Sequence, residues 1–244
     1  MQKIWQMLCA GLVLASVQSC TETDNYDGPN ASLSGIVIDL TTGEPLLSGQ
    51  GEYSIRLWET SWSDNPSPQD LAVKQEGTYS NNKLFQATYS LQPYGGPFWP
   101  VEKITDFQLE GDDTKDFTVT PYLKITNVQW ELDGTNLKIS CKLQAPKPDG
   151  LPQVIEIRPF ISLTEYCGEG NRIDAYFKDE YRILINKNWS EIGNMDSGVG
   201  SETYVIPNSL PLKSGYTYYI RMGAKVRDTF EKFNYSEIIQ IKVP

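Results

Sequence analysis

Histidine is absent from all 244 residues. That gap removes every Ser-His-Asp or Cys-His nucleophile and every zinc site built on imidazole. Basic side chains are scarce as well: 21 Lys+Arg stand against 31 Asp+Glu, a formal net charge of −10. A phosphate binder gathers positive charge to displace counterions, so this balance argues against nucleic acid and anionic headgroups as partners. Past the first twenty residues no apolar run approaches the length needed to span a bilayer. Amphipathic helical periodicity is hard to find. Short alternating runs, parted by clusters of Gly, Pro, Asn and Asp, recur instead about every ten residues, and they make the fold class all-β.

What the chain does have is an apolar start. Lys3 is the only charge in residues 1–19, the run from Ile4 to Val17 is interrupted only by Gln6 and Ser16, and Gln18-Ser19-Cys20 follows. This reads as an export signal peptide over 1–19, cleaved so that Cys20 becomes an acylated N-terminus. An ordinary secreted protein with an incidental cysteine is the alternative. At about 0.8 kcal/mol per buried methylene, two or three acyl chains would hold the protein on a membrane almost permanently. Residues 20–27 then form a lipidated tether, polar and acidic like the whole stretch from Thr21 to Asn30. An acidic stretch behind a lipidated cysteine resembles the signal that sends Bacteroidetes lipoproteins to the outer face of the outer membrane. The expected location is therefore lipid-anchored in the outer membrane, facing the cell exterior, with a periplasm-facing anchor as the other option. Cys9 leaves with the signal, so Cys141 and Cys167 remain. Their parity with Leu137, Ile139 and Leu143, and with Ile161 and Leu163, points both into a core. One disulfide, worth roughly 2–4 kcal/mol, and two buried free thiols are both open.

One alternating run (Phe117, Val119) stops and another (Leu123, Ile125) begins across Thr120-Pro121-Tyr122, where the proline cannot donate to a ladder. Domain one is expected over 28–120 and domain two over 121–244. In domain one a strand ends at Asp39, whose side chain can cap its own turn; the chain reverses at Thr42-Gly43 and returns through Glu44-Pro45-Leu46. This pattern resembles the transthyretin-like sandwich also found as the regulatory domain of carboxypeptidases. Gly77-Thr78-Tyr79-Ser80 followed by Leu84 to Leu91 resembles that fold's hairpin, although Glu76 and Ala87 replace its usual Asp and Gly. In domain two, Leu212 six residues before Tyr218 resembles the tyrosine corner of immunoglobulin-like and fibronectin type III sandwiches. Parity then sends Tyr218, Ile220 and Met222 inward and leaves Tyr219 and Arg221 outside.

Residues 24–31, the turn at 39–46, Ile55-Arg56-Leu57-Trp58-Glu59 with Ser61-Trp62-Ser63-Asp64-Asn65-Pro66, and residues 74–79 together resemble a Bacteroidetes two-domain surface lipoprotein family of unknown function. Its first domain is transthyretin-like and its second immunoglobulin-like, and the resemblance covers essentially all of the mature chain. It implies a place beside the starch-utilisation-type outer-membrane porin and its glycan-binding lipoprotein partner, and hence a role in glycan capture.

Two carboxylates can hydrolyse a glycoside without histidine. Asp112-Asp113, Asp179-Glu180 and Glu165 with Glu169 lie in polar, turn-like segments, where solvated surface charge is the ordinary reading. Gly111-Asp112-Asp113-Thr114 lacks the spaced oxygen series of a calcium loop. No catalytic residue, metal or cofactor is expected. Aromatic side chains are the more informative set, because flat rings stack on the apolar faces of pyranoses while neighbouring amides and carboxylates bond the hydroxyls. Trp62, and Tyr94, Phe98 and Trp99 in a Gly/Pro-rich turn, are the carbohydrate-binding candidates, with Trp189 a more isolated one. Segments 61–70 and 92–101 each follow a strand and are expected to meet at one end of domain one. The competing reading has Trp58, Trp62 and Trp99 covering a sandwich edge or filling the domain interface, and Trp130 is expected in the core. The expected function is a non-catalytic surface lipoprotein that binds glycan or assists polysaccharide uptake. A structural or adhesion lipoprotein docking on a partner outer-membrane protein or host surface is the alternative, and a hydrolase comes third.

Overall fold

The computed structural model describes residues 27–244. The expected signal peptide, Cys20 and all of the tether except Asp27 lie outside them.

Eight strands come first: β1 (Ala31–Asp39), β2 (Ser54–Glu59), β3 (Gln69–Ala72), β4 (Thr78–Leu84), β5 (Ala87–Tyr94), β6 (Ile104–Leu109), β7 (Asp112–Thr114) and β8 (Phe117–Val119). In one sheet β1 pairs antiparallel with β4, and parallel with β7 along its first half and β8 along its second. The other sheet, β3-β2-β5-β6, is antiparallel throughout. Alternation explains the layering. Leu33 and Val37 of β1, Ile55 and Leu57 of β2 and Leu91 of β5 all turn into one apolar core between the sheets. The turn after β1 is local chemistry: the Asp39 carboxylate accepts from the Thr41 N–H and hydroxyl, both at 2.7 Å, and Gly43 supplies a φ of 74°. The hairpin expected across 77–91 does not form. β4 joins β1 while β5 joins β2, so the chain changes sheets at Phe85-Gln86. The switch shares the apolar residues between the layers, Tyr79 and Leu84 in one and Tyr89 and Leu91 in the other.

Nine strands follow: β9 (Lys124–Asp133), β10 (Asn136–Gln144), β11 (Val154–Ser162), β12 (Ile183–Lys187), β13 (Val199–Val205), β14 (Leu210–Pro211), β15 (Thr217–Val226), β16 (Phe233–Tyr235) and β17 (Ile239–Lys242). β9, β13 and β14 pair with β10; β12, β11, β15 and β16 form the second sheet, with β17 also on β15. Leu137, Ile139, Cys141 and Leu143 of β10 meet Tyr218, Ile220 and Met222 of β15 in a second core. The Tyr218 hydroxyl accepts from the Lys213 N–H at 3.0 Å, which ties β15 back to the turn before it. Trp130 is 46% exposed rather than in this core. It shares a face with Ile139 but stands on edge strand β9, where the core stops.

Parity places Arg221 on the far face of the β11–β15 sheet, yet it is only 1% exposed. That face carries a third cluster, Phe160, Cys167, Phe233 and Tyr235, and every residue of β11 is buried. Gly223 makes the close packing possible, since a Cβ there would sit 2.5 Å from the Phe160 ring. Domain one closes over one end of this face. Arg221 donates to the Ser48 carbonyl at 2.8 Å, and the Gln75 side chain accepts from the Cys167 N–H at 2.8 Å. The Asn234 amide accepts from the Leu123 N–H at 3.1 Å and donates to the Pro97 carbonyl at 2.8 Å. Buried polar contacts, in addition to the connecting chain, therefore join the two domains.

Candidate functional site

The five candidate rings do not converge. Phe98 is 4% exposed, edge-on to Tyr53 with ring centres 5.4 Å apart, and belongs to the core of domain one. Trp189 is 2% exposed, the first residue of a one-turn helix, Trp189–Ile192, packed into the core of domain two. Trp99 lies against Tyr122 at 5.4 Å, under the Lys147 ammonium and on the domain-two core, so it seals the domain junction. These three are structural, because the segments bearing them fold against sheets instead of standing clear of them. Trp62 is 86% exposed. The 61–70 and 92–101 segments meet only where Asp70 and Tyr94 flank Arg56, and Trp62 does not join the 92–101 rings, for a geometric reason: β2 and β5 are antiparallel, with Ser54 opposite Tyr94 and Glu59 opposite Tyr89. Trp62 and Tyr94 therefore stand at opposite ends of the sheet.

Tyr94 alone among the five enters a cleft with other chemistry. Its floor is the outer face of the β3-β2-β5-β6 sheet, where Ser54, Asp70, Ala72 and Tyr94 project away from the core; Gly51, Glu52 and Tyr53 form one wall, and Phe230 and Lys232 of domain two complete it. The cavity measures about 350 Å³. Tyr94 and Phe230 are edge to face at 5.1 Å. Gly95, at φ 75°, turns the chain directly beneath Phe230. On the domain-two side Asp228 caps the turn, accepting from the N–H groups of Phe230 at 3.1 Å and Glu231 at 2.6 Å. Arg56 lies 3.6 Å from the centre of the Tyr94 ring and grips Asp70 with two bonds of 2.7 Å. Hydrogen bonding from Arg56 holds the Asp70 carboxyl below its ordinary range. The cleft thus offers two rings, one held ion pair and the ammonium of Lys232, which has no ion-pair partner among the described residues.

Beneath it runs a buried polar network. The Glu52 carboxylate accepts from the Tyr235 hydroxyl at 2.7 Å and the Glu169 N–H at 2.9 Å, and burial pushes its carboxyl above the ordinary value. These bonds fix the turn that forms the cleft wall. The two thiols are free and buried, so no disulfide forms. Cys141 belongs to the core between the domain-two sheets, whereas Cys167 belongs to the cluster on the far face of one of them, donating to the Phe160 carbonyl at 3.4 Å. Burial pushes Cys141 up to about 12 and Cys167 up to about 11, so neither is a thiolate nucleophile at neutral pH. Two of the three acidic pairs are engaged structurally: Asp112 accepts from the Ser32 hydroxyl at 2.7 Å, and Asp179 pairs with Arg182 at 2.8 Å. Arg56, Asp70, Phe230 and Lys232 carried no local signal as site residues; strand register and domain docking bring them together.

The family model described as protein of unknown function (DUF3823), N-terminal domain, matches residues 31–120. The model described as domain of unknown function (DUF3823_C) matches residues 123–240. No curated protein matches the chain. Among solved structures, a Bacteroides uniformis protein described as a candidate carbohydrate-binding protein superposes with a TM-score of 0.71 at 24% identity, covering 88% of this chain and 100% of its own. DUF3823 family proteins from Bacteroides uniformis and Parabacteroides merdae give 0.69 at 22% identity and 0.63 at 23%, with the same coverage of both chains. At these identities the likeness establishes the shared all-β fold.

Proposed function

The chain belongs to the DUF3823 family along both of its domains, and from that premise we propose that it is a non-catalytic, lipid-anchored protein of the outer-membrane surface that binds glycan at the seam cleft. The observation that carries the reading is the Tyr94–Phe230 ring pair, set 5.1 Å apart beside Arg56, Asp70 and Lys232. Rings meet the apolar faces of sugars, and the charged groups take their hydroxyls. The cavity volume lies within the range of small-ligand pockets. A relative of the same fold described as a candidate carbohydrate-binding protein supports the same ligand class. The lack of histidine and the structural engagement of Asp112 and Asp179 support binding without turnover.

The anchor rests on the apolar leader and Cys20, and the outward-facing location on the acidic segment behind it. In this reading domain one is transthyretin-like, domain two is immunoglobulin-like, and the protein serves a porin and glycan-binding lipoprotein complex as an accessory. The test is a broad glycan panel with Phe230→Ala. Binding by the natural protein that disappears in the variant, at an unchanged melting temperature, is the expected result; no binding to any glycan sinks the reading. Trp62, an indole standing 86% exposed, favours a second one, docking on a partner outer-membrane protein or host surface. Co-purification with a porin complex that survives Phe230→Ala but not Trp62→Ala would support it.

A further inference from the structure

Four residues lining the seam cleft, Ser54, Asp70, Ala72 and Tyr94, belong to the outer face of the β3-β2-β5-β6 sheet. That face continues beyond them. Arg56 and Trp58 follow at alternate positions of β2, with Gln92 and Ser90 opposite them on β5. Trp58 is half-buried, and the Lys103 ammonium lies 3.8 Å from its ring centre. Tyr94, opposite Ser54, and Trp58, opposite Ser90, are four residues apart along the sheet, which is about 13 Å at the rise of an extended strand. Each end of this strip has an aromatic ring and a lysine: Tyr94 with Lys232, Trp58 with Lys103. Arg56, between them, is already committed to Asp70. Neither lysine forms an ion pair among the described residues, in a chain whose net charge is −10.

We propose that this strip binds an internal stretch of an anionic polysaccharide, with sugar rings set beside Tyr94 and Trp58 and carboxylate or sulfate groups taken by Lys232 and Lys103. The inference rests on the glycan-binding reading of the cleft and adds to it the charge and the length of the ligand. Unpaired ammonium groups are the feature that selects the charge. An acidic protein repels polyanions as a whole, so binding of one reports a local site and not a general attraction. The separation of the two lysine-bearing ends selects the length, because a single sugar reaches only one of them.

The experiment is affinity electrophoresis and calorimetry of the full mature chain with four polymers. Polygalacturonate and dextran sulfate are the anionic probes, and methyl-esterified polygalacturonate and dextran are their neutral counterparts. The expected result is binding of at least one polyanion about tenfold or more tighter than its neutral counterpart. Which polyanion it is distinguishes carboxylate from sulfate. Lys103→Glu with Lys232→Glu removes that preference while leaving the melting temperature in place. Short oligomers of the preferred polymer compete more weakly than tetramers and longer ones. Equal binding of neutral and charged polymers overturns the anionic ligand while leaving the cleft a sugar site, as does a charge preference that survives the double reversal. Competition by a monosaccharide as effective as by the tetramer overturns the extended strip. Failure to bind any of the four polymers, together with a blank glycan panel, removes the underlying reading as well.

Discussion

The guanidinium of Arg221 lies 3.7 Å from the centre of the Tyr235 ring, inside the junction of the two domains. The arginine also donates to the Ser48 carbonyl at 2.8 Å and is 1% exposed. A cation so placed contributes through its partners, and its loss strands the Ser48 oxygen and the nearby Glu52 carboxylate. Arg221→Met is expected to lower the unfolding free energy by about 3 kcal/mol, measured by urea denaturation. A loss below about 0.5 kcal/mol would show that the buried contacts across the junction contribute little.

Glu52 gives the junction a pH dependence of known sign. Burial raises its carboxyl above the ordinary value of 4.5, against the opposing bonds from Tyr235 and Glu169. The folded protein thus holds the proton more tightly than the unfolded chain does. Its stabilising contribution is fully present below the unfolded value and is lost as pH rises through the folded one. Unfolding free energies of the natural protein and Glu52→Gln, compared from about pH 4 to about pH 8, should show the natural protein losing ground to the variant as pH increases. A constant difference across the range would refute the assignment.

Trp189 and Trp62 are opposites in exposure, at 2% and 86%. Trp189→Ala opens a cavity in the domain-two core and should cost about 3–5 kcal/mol. Trp62→Ala should leave stability within about 0.5 kcal/mol. Calorimetric melting of both variants checks the contrast, and similar melting temperatures would contradict the packing described for Trp189.

Cys141 and Cys167 are protonated and enclosed. A thiol reagent at neutral pH should label neither in the native protein and both after unfolding, and a reductant should leave the melting temperature unchanged. A melting temperature that falls on reduction would reveal a bond between them.

Local chemistry was legible in the sequence, and long-range placement was not. Asp39 and Gly43 declare their turn because everything the turn needs lies within five residues. The inward parity of Tyr218, Ile220 and Met222 follows from a two-residue period. The same period puts Arg221 on the opposite face, but a sheet covered on both sides makes that face interior as well. Arg56 and Asp70 meet only through the β2–β3 register, and Phe230 reaches Tyr94 only through domain docking. Loop aromatics were legible as a class. Their individual fates depended on strand register and on how each segment folds back onto a sheet or onto the other domain, and no spacing along the chain encodes that.

The β2–β5 register that separates Trp62 from Tyr94 also sets which of them lies nearer the point where the chain enters the fold. Ala31 enters opposite Leu84, and the Asn30 side chain accepts from the Gln86 N–H at 2.9 Å, beside the 60–62 loop. The Trp62 pole therefore lies at the end where the chain enters domain one, and the Tyr94 end lies across the β2–β5 pair from it. Under the anchor proposed at Cys20, the Tyr94 rings would be the pole farther from the point of attachment and the Trp62 indole the nearer one.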